Sequence, residues 1–174
     1  MNIAELIKES AGAGTLGPPD GKRTTLVALS VAGKAPIAQV SIAQARRACK
    51  NAGKRLCREK EWVAACKGMS RWAYPYGPQF EPRRCNDWEV SDHGMKGVVA
   101  TGSFPKCVSP LGAFDLANNV GEWIDADDEK AVKTQFDVRG GTYNMVIVDS
   151  SCDEDDYRAP PDAQRPDIGF RCCR

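Results

Sequence analysis

The sequence predicts an α+β domain with sparse regular structure, held together by cross-links. Three observations carry this. Two short helical patterns stand in the first half of the chain, a tail rich in Gly, Pro, Asn and Asp follows with only short apolar pieces, and the 174 residues include eight cysteines. Helices followed by strands, rather than alternating with them, point to α+β and away from a doubly wound sheet. A hydrophobic share of 42% suits one core in a chain of this length.

Residues 1–23 read as a flexible lead-in, because "SAGAGTLGPPDG" is rich in Gly, Pro and Ala. They lack the long apolar segment of a secretory signal. The domain is expected over 24–174. "TTLVALSV", Thr24–Val31, is rich in β-branched residues and reads as a first strand. "SIAQARRACKNAG" reads as a helix: Ser41 caps it, Gln44 stands three residues on as in a capping box, and Ala45, Ala48, Cys49 and Ala52 share one face before Gly53 stops it. "REKEWVAACKG" reads as a second helix with Trp62, Val63 and Cys66 inward and Gly68 at its end. After Gly68, "KGVVATGSF", "FDVRGG" and "IGFRCC" suit short strands between long loops. Such loops need fixing by disulfides or a bound cation.

The net charge of +1 supplies no global field for nucleic acid or an anionic membrane, so neither is an expected partner. No run approaches the ~18 apolar residues of a membrane span. Charge is uneven along the chain: residues 1–67 hold 12 Lys/Arg against 5 Asp/Glu, and residues 125–156 hold 10 Asp/Glu against 3 Lys/Arg. The acidic stretch is either a solvated face or an attractor of cations and basic partners. No two cysteines form a C-x-x-C pair and His93 is the single histidine, so a zinc site would need scattered thiolates. An even count favours disulfides and an oxidising location: extracellular, periplasmic or at the cell surface. Eight cysteines allow about 105 connectivities, and some as buried thiols is the alternative.

Five blocks occur in order: "APIAQVSIAQARRACKNAGKRLCREKEWVAACKG", "YPYGPQFEPRRCND", "TGSFPKCVSPLGAFDLANNVGEW", "VRGGTY" and "DIGFRCC". Together, from about Pro36 to Arg174, they resemble the sulfatase-modifying-factor, or formylglycine-generating-enzyme, family. The resemblance implies the C-type-lectin-like fold in an elaborated, loop-rich form. It implies that Cys49 pairs with Cys172 and Cys66 with Cys152. Cys85–Cys107, linking two loops, and Cys57–Cys173, a neighbour of the first pair, complete the expectation.

Active members of that family oxidise a client cysteine to formylglycine, using O₂ and a copper ion held by two cysteines; soft thiolates suit Cu(I). The resemblance puts those two positions at Met145 and at Ser150 or Ser151, none of which is cysteine. Cys152 is close but is allotted to Cys66, so copper is not expected. A lone thiolate with the Met145 thioether is the weaker alternative. His93, in "EVSDHGMKG", reads as a solvated loop histidine with no nucleophile placed beside it. The acids Asp125, Asp127, Asp128, Glu129 and Asp153 to Asp156 stand too nearly consecutive for an acid/base pair.

Calcium is the expected cofactor. The family's calcium loop maps onto the side chains of Asn119 and Glu122 and the carbonyls of Val120 and Ile124, where the alternative is that Asn119 and Glu122 only brace the turn. A second family site maps onto Asn86, the carbonyl of Asp87 and, with a one-residue shift from His93, Asp92. Trp123 is expected in the core either way.

Three functions compete: a non-catalytic module binding a protein or other surface ligand, a copper-dependent oxidase, and a structural extracellular domain. The first is preferred, with its binding surface in residues 142–168. Its contact residues would be Tyr143, Asn144, Met145, Ile147, Asp149, Ser150, Ser151, Asp153 and Asp155, a mixed set that suits an adaptable surface. The alternative is that "MVIV" is a buried strand. Domains resembling this one serve as targets of diversity-generating retroelements, which implies that the same segment is hypervariable. Neither the Glu-Pro-Asn nor the Gln-Pro-Asp sugar-binding motif occurs.

Overall fold

Helix α1 spans Ile42–Asn51 and begins where the capping box puts it. Ser41 Oγ accepts the Gln44 N–H at 3.3 Å, and Gln44 Oε1 accepts the Ser41 N–H at 2.8 Å. Ile42, Ala45, Ala48 and Cys49 form its buried stripe. A short strand, β1 (Arg55–Leu56), leads into α2 (Glu59–Lys67), whose Glu61 carboxylate accepts the Arg58 N–H at 3.0 Å. Gly68 ends α2 at φ +58°, with Pro110 so close that a Cβ there would lie 2.7 Å from its ring; only glycine fits.

The computed structural model describes residues 26–126, 134–145, 150–154 and 157–174. The expected lead-in over 1–23 lies outside them. Four strands form a mixed sheet in the order β4-β3-β2-β5: β2 (Gly121–Trp123), β3 (Phe136–Arg139), β4 (Tyr157–Ala159) and β5 (Ile168–Phe170). β3 is antiparallel to both neighbours, whereas β5 runs parallel to β2. β6 (Cys172–Cys173) pairs antiparallel with β1. The fold class is therefore the α+β one expected from the sequence. The main core lies between α1 and the sheet, where Ile42, Leu56, Val138 and Ile168 surround Trp123. Trp123 is wholly buried and donates its indole N–H to the Val40 carbonyl at 2.8 Å. A second cluster under α2 groups Trp62, Ala65, Leu116 and Ile124 with Cys66 and Cys152.

Two expected strands do not form. Residues 26–31 of "TTLVALSV" run instead along the end of α1. Ala28 donates its N–H to the Ala48 carbonyl at 3.1 Å, and Asn51 Nδ2 donates to the Leu26 carbonyl at 2.8 Å. Ala48 O also accepts the Ala52 N–H at 3.2 Å, so the segment adds a second donor to a carbonyl at the end of the helix. "KGVVATGSF" is irregular too. Its Val99 is clipped at both backbone groups by one side chain: Asn119 Oδ1 accepts the N–H at 3.0 Å and Asn119 Nδ2 donates to the carbonyl at 3.2 Å. That side chain takes the place of a neighbouring strand.

The disulfides are Cys49–Cys172 and Cys66–Cys152, the pairs the resemblance implied, and Cys57–Cys173 and Cys85–Cys107, the pairs expected for the cysteines that remained; they use every cysteine of the chain. The first two tie the helical part to β6, the third ties α2 to the segment at 150–154, and the fourth joins two loops. Four bridges belong to an oxidising, non-cytoplasmic compartment. Among the described residues no helix is long and apolar enough to cross a membrane.

Candidate functional site

Parallel pairing of β2 with β5 brings the "GEW" and "GFR" motifs side by side. The Glu122 carboxylate receives Arg171 Nη2 at 2.7 Å, Arg171 Nε at 2.9 Å and the Trp62 indole N–H at 2.8 Å. Arg171 Nη2 also donates to the Phe114 carbonyl at 2.9 Å. Both charged side chains are about 95% buried, so a charge pair is traded for water and the remaining donors are matched as well. Asp115 is a second buried carboxylate nearby. It accepts the Gly102 N–H at 3.1 Å, and burial pushes its pKa up to about 6 while the Arg171 charge holds it back.

This arrangement bears on the expected cations. Glu122 is filled by Arg171 and Trp62, and Asn119 Oδ1 takes both the Val99 N–H and Asn86 Nδ2, the latter at 3.0 Å. The set Asn119, Val120, Glu122 and Ile124 therefore does not fit calcium as arranged, since its two side chains already hold protein donors. Asn86 differs. Its Nδ2 donates to Gly97 O and Asn119 Oδ1, while its buried Oδ1 has no hydrogen-bond partner. Exchanging the two amide atoms would set oxygen against two acceptors, so the orientation stands. A buried carboxamide oxygen without a donor suits a hard cation. The Asp87 carbonyl accepts the Ser91 N–H at 2.9 Å and keeps a second lone pair, and Asp92 is exposed in the same loop.

The "RGG" motif is a backbone device. Gly140 has φ +97°, and a Cβ there would lie 3.0 Å from the Leu116 carbonyl oxygen; Gly141 has φ +67°, and a Cβ there would lie 2.4 Å from Ser150 Oγ. Beyond it, the residues expected in the binding segment divide. Tyr143 and Ser150 are buried rather than presented to solvent, a correction to the sequence reading. The Tyr143 carbonyl accepts Ser91 Oγ at 2.6 Å, and Ser150 Oγ donates to Asn118 Oδ1 at 2.9 Å. Asn144, Met145 and Ser151 are half-buried, with Asn144 Oδ1 accepting Thr142 Oγ at 2.6 Å. Asp153 is exposed and pairs with Lys67. Ile147, Asp149 and Asp155 lie outside the described residues. At the positions to which the resemblance assigns the copper ligands stand the half-buried Met145 and either the buried Ser150 or the half-buried Ser151. Cys152 is bridged to Cys66.

Sequence reasoning missed the neighbour of this segment. The loop at 88–95 packs on it, with Ser91 holding Tyr143 and Gly94 against Asn144. It carries the half-buried Trp88, exposed His93 with its ring 5.4 Å from Trp88, and Met95, which is 77% exposed. No local signal marked it, since "EVSDHGMKG" has the composition of a solvated loop. Asp125 is likewise no free acid: it accepts Arg46 Nε at 2.9 Å.

Comparison with known proteins agrees with this geometry. The family model described as a sulfatase-modifying factor enzyme 1-like domain matches residues 16–174. The chain is 30% identical over 172 residues to the inactive C-alpha-formylglycine-generating enzyme 2 of Bos taurus, covering 90% of this chain and 53% of that protein. It is 32% identical over 168 residues to the formylglycine-generating enzyme of Thermomonospora curvata, covering 79% and 54%. It thus spans about half the length of these relatives. Among solved structures, PvdO from Pseudomonas aeruginosa superposes with a TM-score of 0.65 at 19% identity, covering 97% of this chain and 71% of that one. Treponema denticola variable protein 1 superposes with a TM-score of 0.63 at 17% identity, covering 99% and 80%. These two likenesses are of fold.

Proposed function

The chain belongs to the sulfatase-modifying factor enzyme 1-like family, and from that premise we propose that it is a non-catalytic binding module on the family's scaffold. The observation that carries this reading is the use of every cysteine in a disulfide, with Met145 and Ser150 where copper thiolates would stand. A Cu(I) site of the expected kind needs two soft thiolates. The relative named inactive is in keeping with this reading, whereas the Thermomonospora relative is named a formylglycine-generating enzyme. The ligand is a protein or another surface ligand, met outside the cell, in the periplasm or on a cell surface. It would be held on the rim that joins Trp88, His93 and Met95 to Asn144, Met145 and Ser151. Rigid aromatic groups beside adaptable polar ones suit such a contact. The reading extends to hypervariability of residues 142–168, which a template repeat beside the gene would support and a gene without one would remove.

The test is an oxidase assay on a Cys-x-Pro-x-Arg peptide with copper and O₂, alongside thiol titration of the unreduced, denatured protein. No formylglycine and no titratable thiol are expected. Turnover would replace this reading with the oxidase one. A protein that neither turns over peptide nor retains any ligand would be the structural domain.

Calcium is a second proposal, favoured by the partnerless Asn86 Oδ1. The site would comprise Asn86, the Asp87 carbonyl and Asp92. At calcium about 100-fold above Kd, the bound form gains about 2.7 kcal/mol, which for a chain of this size raises Tm by roughly 5–10 °C. Chelation should remove that shift and Asn86→Ala should abolish it. An unchanged Tm across saturating calcium and chelator would sink the site.

A further inference from the structure

A groove of about 560 Å³ follows the outer face of α2. Its floor is Val63 and Ala64, flanked along the helix by Lys60 and Lys67. Arg71 lies beyond the helix end, and Arg139 faces across from β3.

Two ion pairs in the groove are built alike. Arg139 donates Nη2 to Glu59 Oε1 at 2.6 Å, and Lys67 pairs with Asp153. In each the cation is recessed and the anion lies outside: the side chains are 4% exposed for Arg139 against 50% for Glu59, and 23% for Lys67 against 64% for Asp153. Arg139 is anchored from behind as Nη1 donates to the Glu154 carbonyl at 2.9 Å. The cations therefore belong to the wall, whereas the anions are surface side chains on its lip. An ion pair with an exposed partner is worth about 0–1 kcal/mol, so an incoming carboxylate exchanges with Glu59 or Asp153 at little cost. Lys60 and Arg71 are exposed and make no ion pair among the described residues. The groove thus offers four cations against two replaceable anions over an apolar floor.

We propose that this groove binds an extended acidic peptide segment of a protein partner. The spacing gives its pattern. Lys60 and Lys67 lie about 10 Å apart along the helix at ~1.5 Å per residue. An extended peptide rises ~3.3 Å per residue and alternates its side chains between two faces, so carboxylates four residues apart share one face about 13 Å apart, within reach of both flexible lysines. An apolar side chain between them rests on Val63 and Ala64. That floor separates the peptide from a polyanion such as a sulfated saccharide or a nucleic acid, which would set only charge against it.

The experiment is fluorescence anisotropy on the full chain with a labelled peptide containing Glu-x-Leu-x-Glu, the same peptide with Gln for both Glu, and a sulfated oligosaccharide of matched charge. Saturable binding of the first is expected, weakened about tenfold or more by Lys60→Glu with Arg71→Glu, by the Gln peptide, and by raised salt. Both substitutions are at exposed positions, and far-UV circular dichroism checks that the fold is retained. Absence of saturation by about 1 mM peptide, an unchanged Kd in the charge-reversed variant, or tighter binding of the oligosaccharide would each overturn the proposal.

Discussion

Deleting both bridges that join the helical part to β6, Cys49–Cys172 and Cys57–Cys173, is expected to cost about 7 kcal/mol, whereas deleting either alone costs about 2–3 kcal/mol. Taken singly, each closes a long loop, with sequence separations of 123 and 116 residues. The Cys66–Cys152 bridge inside them shortens the effective ring to about 40 residues, which the chain-entropy account values at about 4 kcal/mol. The two loops are nearly the same loop, however. With one bridge present, the other closes only a ring of about ten residues, running from Cys49 to Cys57 and back through Cys172 and Cys173. Such a ring is worth roughly 2.7 kcal/mol. Each bridge therefore insures the other, and the loss appears when both go. Domains carry only about 5–15 kcal/mol in total, so the doubly deleted protein should be largely unfolded. Urea denaturation of Cys49→Ala/Cys172→Ala, Cys57→Ala/Cys173→Ala and the fourfold variant measures the coupling. Single deletions that each cost about 4 kcal/mol and simply add would refute the shared-loop argument.

Arg171→Leu is expected to destabilise by about 3–5 kcal/mol at neutral pH, because it strands the Glu122 carboxylate in a site where only the Trp62 N–H remains. Asp115→Asn should act in the opposite sense. Burial raises Asp115 from 3.8 to about 6, so the native state holds that proton where the unfolded chain has lost it. Stability from this group is present below about pH 4, falls as pH rises through 6, and is absent at neutral pH, with a ceiling near 3 kcal/mol. Asparagine keeps the acceptor for the Gly102 N–H and tolerates φ +57° at this position. Asp115→Asn should therefore raise stability by about 1–3 kcal/mol at pH 7.5 and by little at pH 4. Urea midpoints at the two pH values decide it; equal effects at both would remove Asp115 as the titrating group.

What was legible in the sequence was local or carried by family blocks. Ser41 with Gln44 started α1 and Gly68 ended α2, because a cap or a left-handed stop is satisfied within a few residues of itself. The motif blocks carried two of the cysteine pairs, Cys49–Cys172 and Cys66–Cys152, and the core place of Trp123. The first strand failed because β-branched composition states a preference and not a partner, and Leu26 and Ala28 bond to the end of α1 instead. The same reason runs through the site. That Glu122 answers Arg171 from 49 residues away, that Ser150 turns inward to Asn118, that Asn86 Oδ1 is left without a donor, and that Lys60, Lys67, Arg71 and Arg139 share one groove all depend on which distant groups folding brings together. The sequence by itself determined the scaffold and how many cysteines it has to cross-link it. Only the tertiary structure decided which charged and polar groups are spent on holding the fold and which face outward to bind, because that division is made by burial and pairing across the chain.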